Sequence, residues 1–162
     1  MKRVPIFPCI VGLHAALAAA ALLWALQARF GDPLTAALSP AWDSPWEQGK
    51  AAFFPLLAAE PVIWHLAGGG SRSGLCAMAM AGGGAATVLA LAGAAPGIAA
   101  GGAMAAAVAL YGGVLRRLKE RGGWFAAAIA LAAVYILLTI VRPGGALFTP
   151  RGDVSALAGI PF

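Results

Sequence analysis

The stretch from Leu75 to Leu115 consists of two apolar runs, 75–95 and 98–115, joined only by Pro96-Gly97. Each run is close to the ~20 residues that cross ~30 Å of hydrocarbon at 1.5 Å per residue. A link this short requires a tight antiparallel helical hairpin. The rest of the chain extends the pattern. Of its 162 residues, 61% are hydrophobic and 10% charged, against roughly 25% charged in soluble domains. A water-soluble fold of this length has no interior large enough for that much apolar surface, so the solvent is lipid. Three further runs, about 4–28, 45–67 and 124–141, complete the set. The expected architecture is all-α: one integral membrane domain, residues 1–162, built as a bundle of five transmembrane helices with a tail at 143–162.

The second run is the most polar, because it contains Glu60 and His65. The first begins after Lys2-Arg3 and resembles a secretory signal. Its apolar stretch exceeds 20 residues, however, where a signal core has roughly 7–15. It reads as a retained first helix.

Five spans divide the Lys and Arg residues unevenly. Lys2, Arg3, Arg72, Arg116, Arg117, Lys119 and Arg121 fall on one side, and Arg29, Lys50, Arg142 and Arg151 on the other. The richer side, with the loop "LRRLKERGG", is expected in the cytoplasm of a cell whose inner membrane holds the protein. The N-terminus is then inside and the C-terminus outside. A basic cluster beside a membrane is a topology signal and a contact for lipid phosphates. Nucleic acid is not an expected partner, since no folded basic domain is present to carry it.

Other chemistries are poorly served. Cys9 and Cys76 read as reduced thiols packed as small apolar groups, and no Cys/His spacing suggests zinc. "AGGGAAT" lacks the Lys-Ser/Thr of a nucleotide-binding loop. Gly82, Gly83, Gly84, Gly101 and Gly102 read instead as places where helix backbones approach closely. No cofactor or metal is expected.

The segment "PAWDSPWEQGKAAFFP", Pro40 to Pro55, stands at the outer mouth of the second run. Ser44 suits the N-cap, Pro45 the first helical position, and Glu47 completes the capping-box spacing. Trp46 is expected at headgroup depth as an interfacial anchor, and Lys50, one turn on, to reach back toward the headgroups. The segment resembles the Pro-Val-Asn-Glu-Ser-Ile-Trp-Glu-His-Leu-Lys-x-x-Phe-Phe-Pro stretch of a bacterial family of small multi-pass membrane proteins, a domain of unknown function. Pro40, Ser44, Trp46, Glu47, Lys50, Phe53, Phe54 and Pro55 match without a gap. Asp43 stands for Glu, Trp42 for Asn and Gln48 for His. The resemblance extends loosely to His14, to Glu60 and to the endings "ALF" and "GIPF", but the acidic residue expected soon after Phe148 is missing. It implies a multi-pass fold and carries no activity.

Within the membrane, ionisable side chains are functional candidates. His14 and Glu60 fall at similar depth, so a contact between them is geometrically open. His65 lies about 140° round the helix from Glu60, whereas Trp64 shares its face. Pro61 removes a backbone hydrogen bond and frees the Leu57 carbonyl; Pro55 does the same for Ala51. A kink beside a carboxyl is one way to line a polar cavity. The candidate ligand or ion site is therefore Glu60 and His14, with Trp46, Glu47 and Lys50 at the outer mouth. Three function classes stay open: binding or transport of a small ligand or ion between the first two helices, a structural subunit of a membrane complex, and an enzyme acting on a lipid-soluble substrate.

Overall fold

The computed structural model describes residues 6–39, 44–66, 70–141 and 143–149. Lys2, Arg3, Pro40, Trp42, Asp43, Arg142, Arg151 and the end of the tail lie outside the described residues. What is described is helical: α1 (Ile6–Phe30), α2 (Pro33–Leu38), α3 (Pro45–Leu66), α4 (Arg72–Leu91), α5 (Pro96–Gly113) and α6 (Gly122–Val141), with a single 3-10 turn at Leu115–Arg117. Four helices, α1, α4, α5 and α6, are long and apolar enough to cross a membrane. At 22 residues α3 is as long, about 33 Å, but its polar residues keep it out of that group.

The outside of the bundle is apolar. Phe7, Leu22 and Trp24 of α1, and Phe125, Ile129 and Ile140 of α6, are all exposed. In water such a surface would aggregate; in lipid it is the ordinary exterior. The polar helix α3 sits inside, packed against α4, α1 and α5.

Small residues let α3 approach its neighbours. A Cβ on Gly82 would strike the Leu56 side chain, and one on Gly12 would come within 2.7 Å of Ile63. Gly49 of α3 and Gly83 of α4 face each other across a slot that receives the Tyr135 hydroxyl from α6. A Cβ on Gly49 would lie 2.6 Å from that oxygen, and one on Gly83 3.0 Å from it. Gly84, Gly101 and Gly102 have open space around the position of a Cβ, so the close-approach expectation holds at Gly82 and Gly83 and fails at these three. They sit on helix faces that no neighbour covers.

The α4–α5 hairpin is tight, but its turn lies earlier than Pro96-Gly97. Helix α4 ends at Leu91. Gly93 adopts a left-handed φ of 98°, Gly93 N–H donates to Ala90 O and Ala94 N–H to Leu89 O, which together form a Schellman stop. Pro96 opens the first turn of α5, where its missing N–H has no cost. Pro55 and Pro61 both lie within α3, which continues through them.

The short helix α2 has no counterpart among the five expected runs. Gly31 ends α1 at φ 60°, Asp32 Oδ1 accepts from Thr35 N–H at 3.0 Å, and Pro33 occupies the first helical position. "GDPLT" carries this stop-and-cap signal in the sequence.

Candidate functional site

Two polar islands lie on α3, one at each end. The first is built at the N-terminus. With Pro45 in the first helical position, the next amides have no intrahelical partner. Trp46 N–H donates to Leu147 O at 3.0 Å, from the turn that follows α6. Glu47 N–H donates to Ser44 Oγ at 3.3 Å, and Gln48 N–H to Ser44 O at 3.1 Å. The expected Ser44 cap is therefore present.

The Glu47 carboxylate and the Lys50 ammonium form an ion pair, Oε2 to Nζ 2.9 Å. Lys50 also donates to Ala36 O at 2.7 Å. That carbonyl belongs to the last turn of α2, where a cation suits the helix dipole. Lys50 is 0% exposed. It does not reach toward headgroups: α2 folds over it and supplies its acceptor.

Trp46 departs from expectation for a related reason. It is buried, with its ring 4.5 Å from Tyr135 and 5.4 Å from Phe148. The turn 143–149 roofs it, so Trp46 is an internal wedge between α3, α6 and that turn and not an interfacial anchor. Its indole Nε1 is buried without a hydrogen-bond partner among the described residues. Tyr135 also packs on Phe53 at 5.2 Å, which links the wedge to the Gly49–Gly83 slot.

Beside this clamp is a pocket of about 260 Å³, lined by Ser44, Trp46, Glu47, Thr139, Phe148 and Thr149, among others. Its walls come from the start of α3, the end of α6 and the turn after it. Thr139 Oγ1 donates to Tyr135 O at 2.7 Å, and Thr149 Oγ1 to Gly145 O at 2.9 Å. Sequence reasoning did not find Thr139, Phe148 or Thr149 as lining residues, because their role depends on the tail turning back over α3.

The second island is at Glu60. Gly49, Phe53, Leu56 and Glu60 recur at helical spacing along one seam facing α4. The Cys76 thiol lies beside the Glu60 carboxyl. Glu60 Oε1 and Tyr111 OH are both buried without a hydrogen-bond partner among the described residues. Cys76 is thus a polar neighbour of Glu60 and not only a small filler.

His14 is not part of this island. Gly12 abuts Ile63 of α3 and Ala16 is in the core, so that face of α1 meets α3. His14 lies about 200° from Gly12 around the helix. It is exposed, with Nδ1 2.7 Å from the carbonyl of Ile10 in its own helix. His65 is also exposed. Trp64 Nε1 donates to Gly70 O at 3.2 Å, tying the end of α3 to the start of α4.

Glu47 and Glu60 are thirteen positions apart in sequence, which is about 20 Å along the helix. Phe53 and Leu56, both 0% exposed, fill the seam between them. The five candidate residues therefore divide into a clamp with a pocket (Trp46, Glu47, Lys50), a separate internal acid (Glu60) and a residue on the exposed face of α1 (His14). Among the described residues, no group of three or more His, Cys, Asp and Glu could hold a metal ion. No family model, curated protein or solved structure matches the chain.

Proposed function

We propose that this is an inner-membrane protein of five spans, α3 being the fifth, which binds a small polar ligand in the pocket beside Glu47 on the extracytoplasmic face. The observation that carries the reading is the pocket itself. Its walls come from two stretches far apart in sequence, 44–47 and 138–149, and it places a carboxylate and three hydroxyls next to two aromatic rings. At about 260 Å³ it is slightly smaller than the roughly 300–1,000 Å³ of drug-sized sites, so its occupant is small. The mix of polar and aromatic lining favours a ligand that carries hydrogen-bonding groups. Crossing by α3 is supported by its length and by the three lipid-compatible helices packed around it. The N-inside orientation follows from the lysine and arginine count. Kinship with the multi-pass family that the Ser44–Pro55 motif resembles belongs to the same proposal.

The tight seam at Phe53 and Leu56 favours binding over a continuous path to Glu60. A structural reading competes, and one observation favours it: Ser44 Oγ, Lys50 Nζ and the Trp46 amide are each engaged in holding the fold. The two are separated by a thermal-shift screen of purified protein against small amines, amino acids and polyols. Gly144 lines the pocket and has open space at its Cβ position, so Gly144→Leu narrows the pocket at little structural cost. The binding reading expects at least one compound to raise the Tm of the wild type and to leave that of Gly144→Leu unchanged. If no compound separates the two proteins, the motif is a clamp alone.

A further inference from the structure

The opposite end of the bundle carries a second surface. The loop between α5 and α6 is pinned to the start of α4. Ser71 N–H donates to Arg116 O at 3.2 Å. Glu120 accepts from the amides of Arg72 and Ser73 at 2.6 and 3.2 Å, and from Ser73 Oγ at 3.0 Å. Arg121 N–H donates to Ser73 Oγ at 2.8 Å. Leu115 lies so close that any side chain at Gly74 would strike its carbonyl.

This arrangement distributes charge unequally. Glu120 is the only acid in a loop that holds Arg116, Arg117, Lys119 and Arg121, and its carboxylate is turned onto the N-terminus of α4, where it satisfies amides and complements the helix dipole. The cations receive no such partner from it. Arg72, Arg117, Lys119 and Arg121 are exposed. Arg72 sits 5.0 Å above the Trp64 ring, and Trp124 opens α6 at the same end. Cations interleaved with Trp at the ends of apolar helices match the headgroup layer of a bilayer.

We propose that this loop is a preorganised docking site for anionic phospholipid headgroups, with Arg117, Lys119 and Arg121 as phosphate contacts and Glu120 as the residue that holds them in place. It rests on the membrane-spanning reading but not on the ligand pocket at the other end.

Charge alone and a built site make opposite forecasts for one variant. Glu120→Ala adds a net positive charge, so a purely electrostatic surface would bind anionic lipid more tightly. A site that depends on Glu120 pinning the loop binds it less tightly. The experiment uses the full chain in nanodiscs of phosphatidylcholine with a labelled phosphatidylglycerol probe, read by lipid enrichment at 50 and 300 mM salt. The wild type is expected to enrich the probe, less so at high salt. Arg117→Gln with Lys119→Gln and Arg121→Gln is expected to lower enrichment by roughly fivefold per charge at low salt. Glu120→Ala is expected to lower it as well, and inorganic phosphate at millimolar concentration to leave it unchanged. Unchanged or greater enrichment in Glu120→Ala would overturn the built site. Equal competition by free phosphate would reduce the loop to a general anion surface and would also overturn the proposal.

Discussion

The starts of α3 and α4 solve one problem in two ways. Each has a serine N-cap, Ser44 and Ser71, and each recruits a carboxylate. At α3 the acid is local, three residues from the cap, and its charge is met by Lys50 in a buried pair. At α4 the acid is Glu120, 48 positions from Arg72, and it remains exposed to solvent. The difference teaches where polarity is costly. Burial at the start of α3 requires each charge to be matched, leaving a rigid clamp beside a pocket. Exposure at the start of α4 lets a carboxylate serve a helix while the neighbouring cations Arg117, Lys119 and Arg121 stay at the surface.

The largest effect should come from unmatching the buried pair. Glu47→Gln leaves the Lys50 ammonium without its carboxylate, and Lys50→Met leaves the carboxylate without its cation. Each should cost about 3–5 kcal/mol. Glu47→Gln combined with Lys50→Met should recover most of that loss. Denaturation of the four proteins in detergent gives the coupling. Additive losses would mean that the two charges are not interdependent and that the start of α3 resembles the start of α4 more than the geometry indicates.

Next in size is the slot beside the clamp. Gly49→Ala pushes against the Thr87 and Tyr135 hydroxyls and Gly83→Ala against Phe53 and the Tyr135 hydroxyl, and each should cost about 1–3 kcal/mol by overpacking. Gly101→Ala and Gly102→Ala meet open space and should be neutral or stabilising by up to about 1 kcal/mol. Equal behaviour of the two pairs in the same assay would show that Tyr135 does not key α6 into α3 and α4.

The smallest effect is expected at the exposed end and is a matter of pH. Partial desolvation against α4 works to raise the Glu120 pKa, but hydrogen bonds from Ser73, from the amides of Arg72 and Ser73 and from Ser71 outweigh it and hold the carboxyl below its ordinary value. A group depressed in the folded state contributes stability above its unfolded pKa and loses it as pH falls through the folded one. Amide exchange at Arg72 and Ser73, corrected for intrinsic rates, should therefore be protected at neutral pH and lose protection only below the usual carboxylate range. Glu120→Gln should remove that pH dependence. Protection in wild type that is constant down to pH 2 would remove Glu120 from the cap.

The helices were legible in the sequence because lipid demands long apolar runs, and those runs have no other use. The Ser44 cap was legible because capping is local. Lys50 was not, since its direction is set by α2, whose "GDPLT" signal is short, and by a carbonyl fourteen residues away. Trp46 was misplaced for a similar reason: an anchoring and a buried Trp look alike until the tail is seen to return over it. Depth along a helix brought His14 and Glu60 together on paper, but rotation about the helix axis separated them, and Gly12 with Ala16 carried that information. Glu120 was hidden because one acid in a basic loop gives no sign of which amides it will find.

The account requires the two ends to lie on opposite sides of the membrane. Gly145, with φ of 126°, is a poor place for a reporter; Ala146 is exposed and free of that strain. In a chain with Cys9 and Cys76 replaced by alanine, Ala146→Cys and Lys119→Cys are treated with an impermeant maleimide on intact cells. The prediction is that Ala146→Cys labels at once and Lys119→Cys only after permeabilisation. Labelling of both on intact cells would put the two ends on one side, and the reverse pattern would mean that the pocket faces the cytoplasm, through an inverted bundle or an α3 that does not cross; either result contradicts the N-inside five-span account.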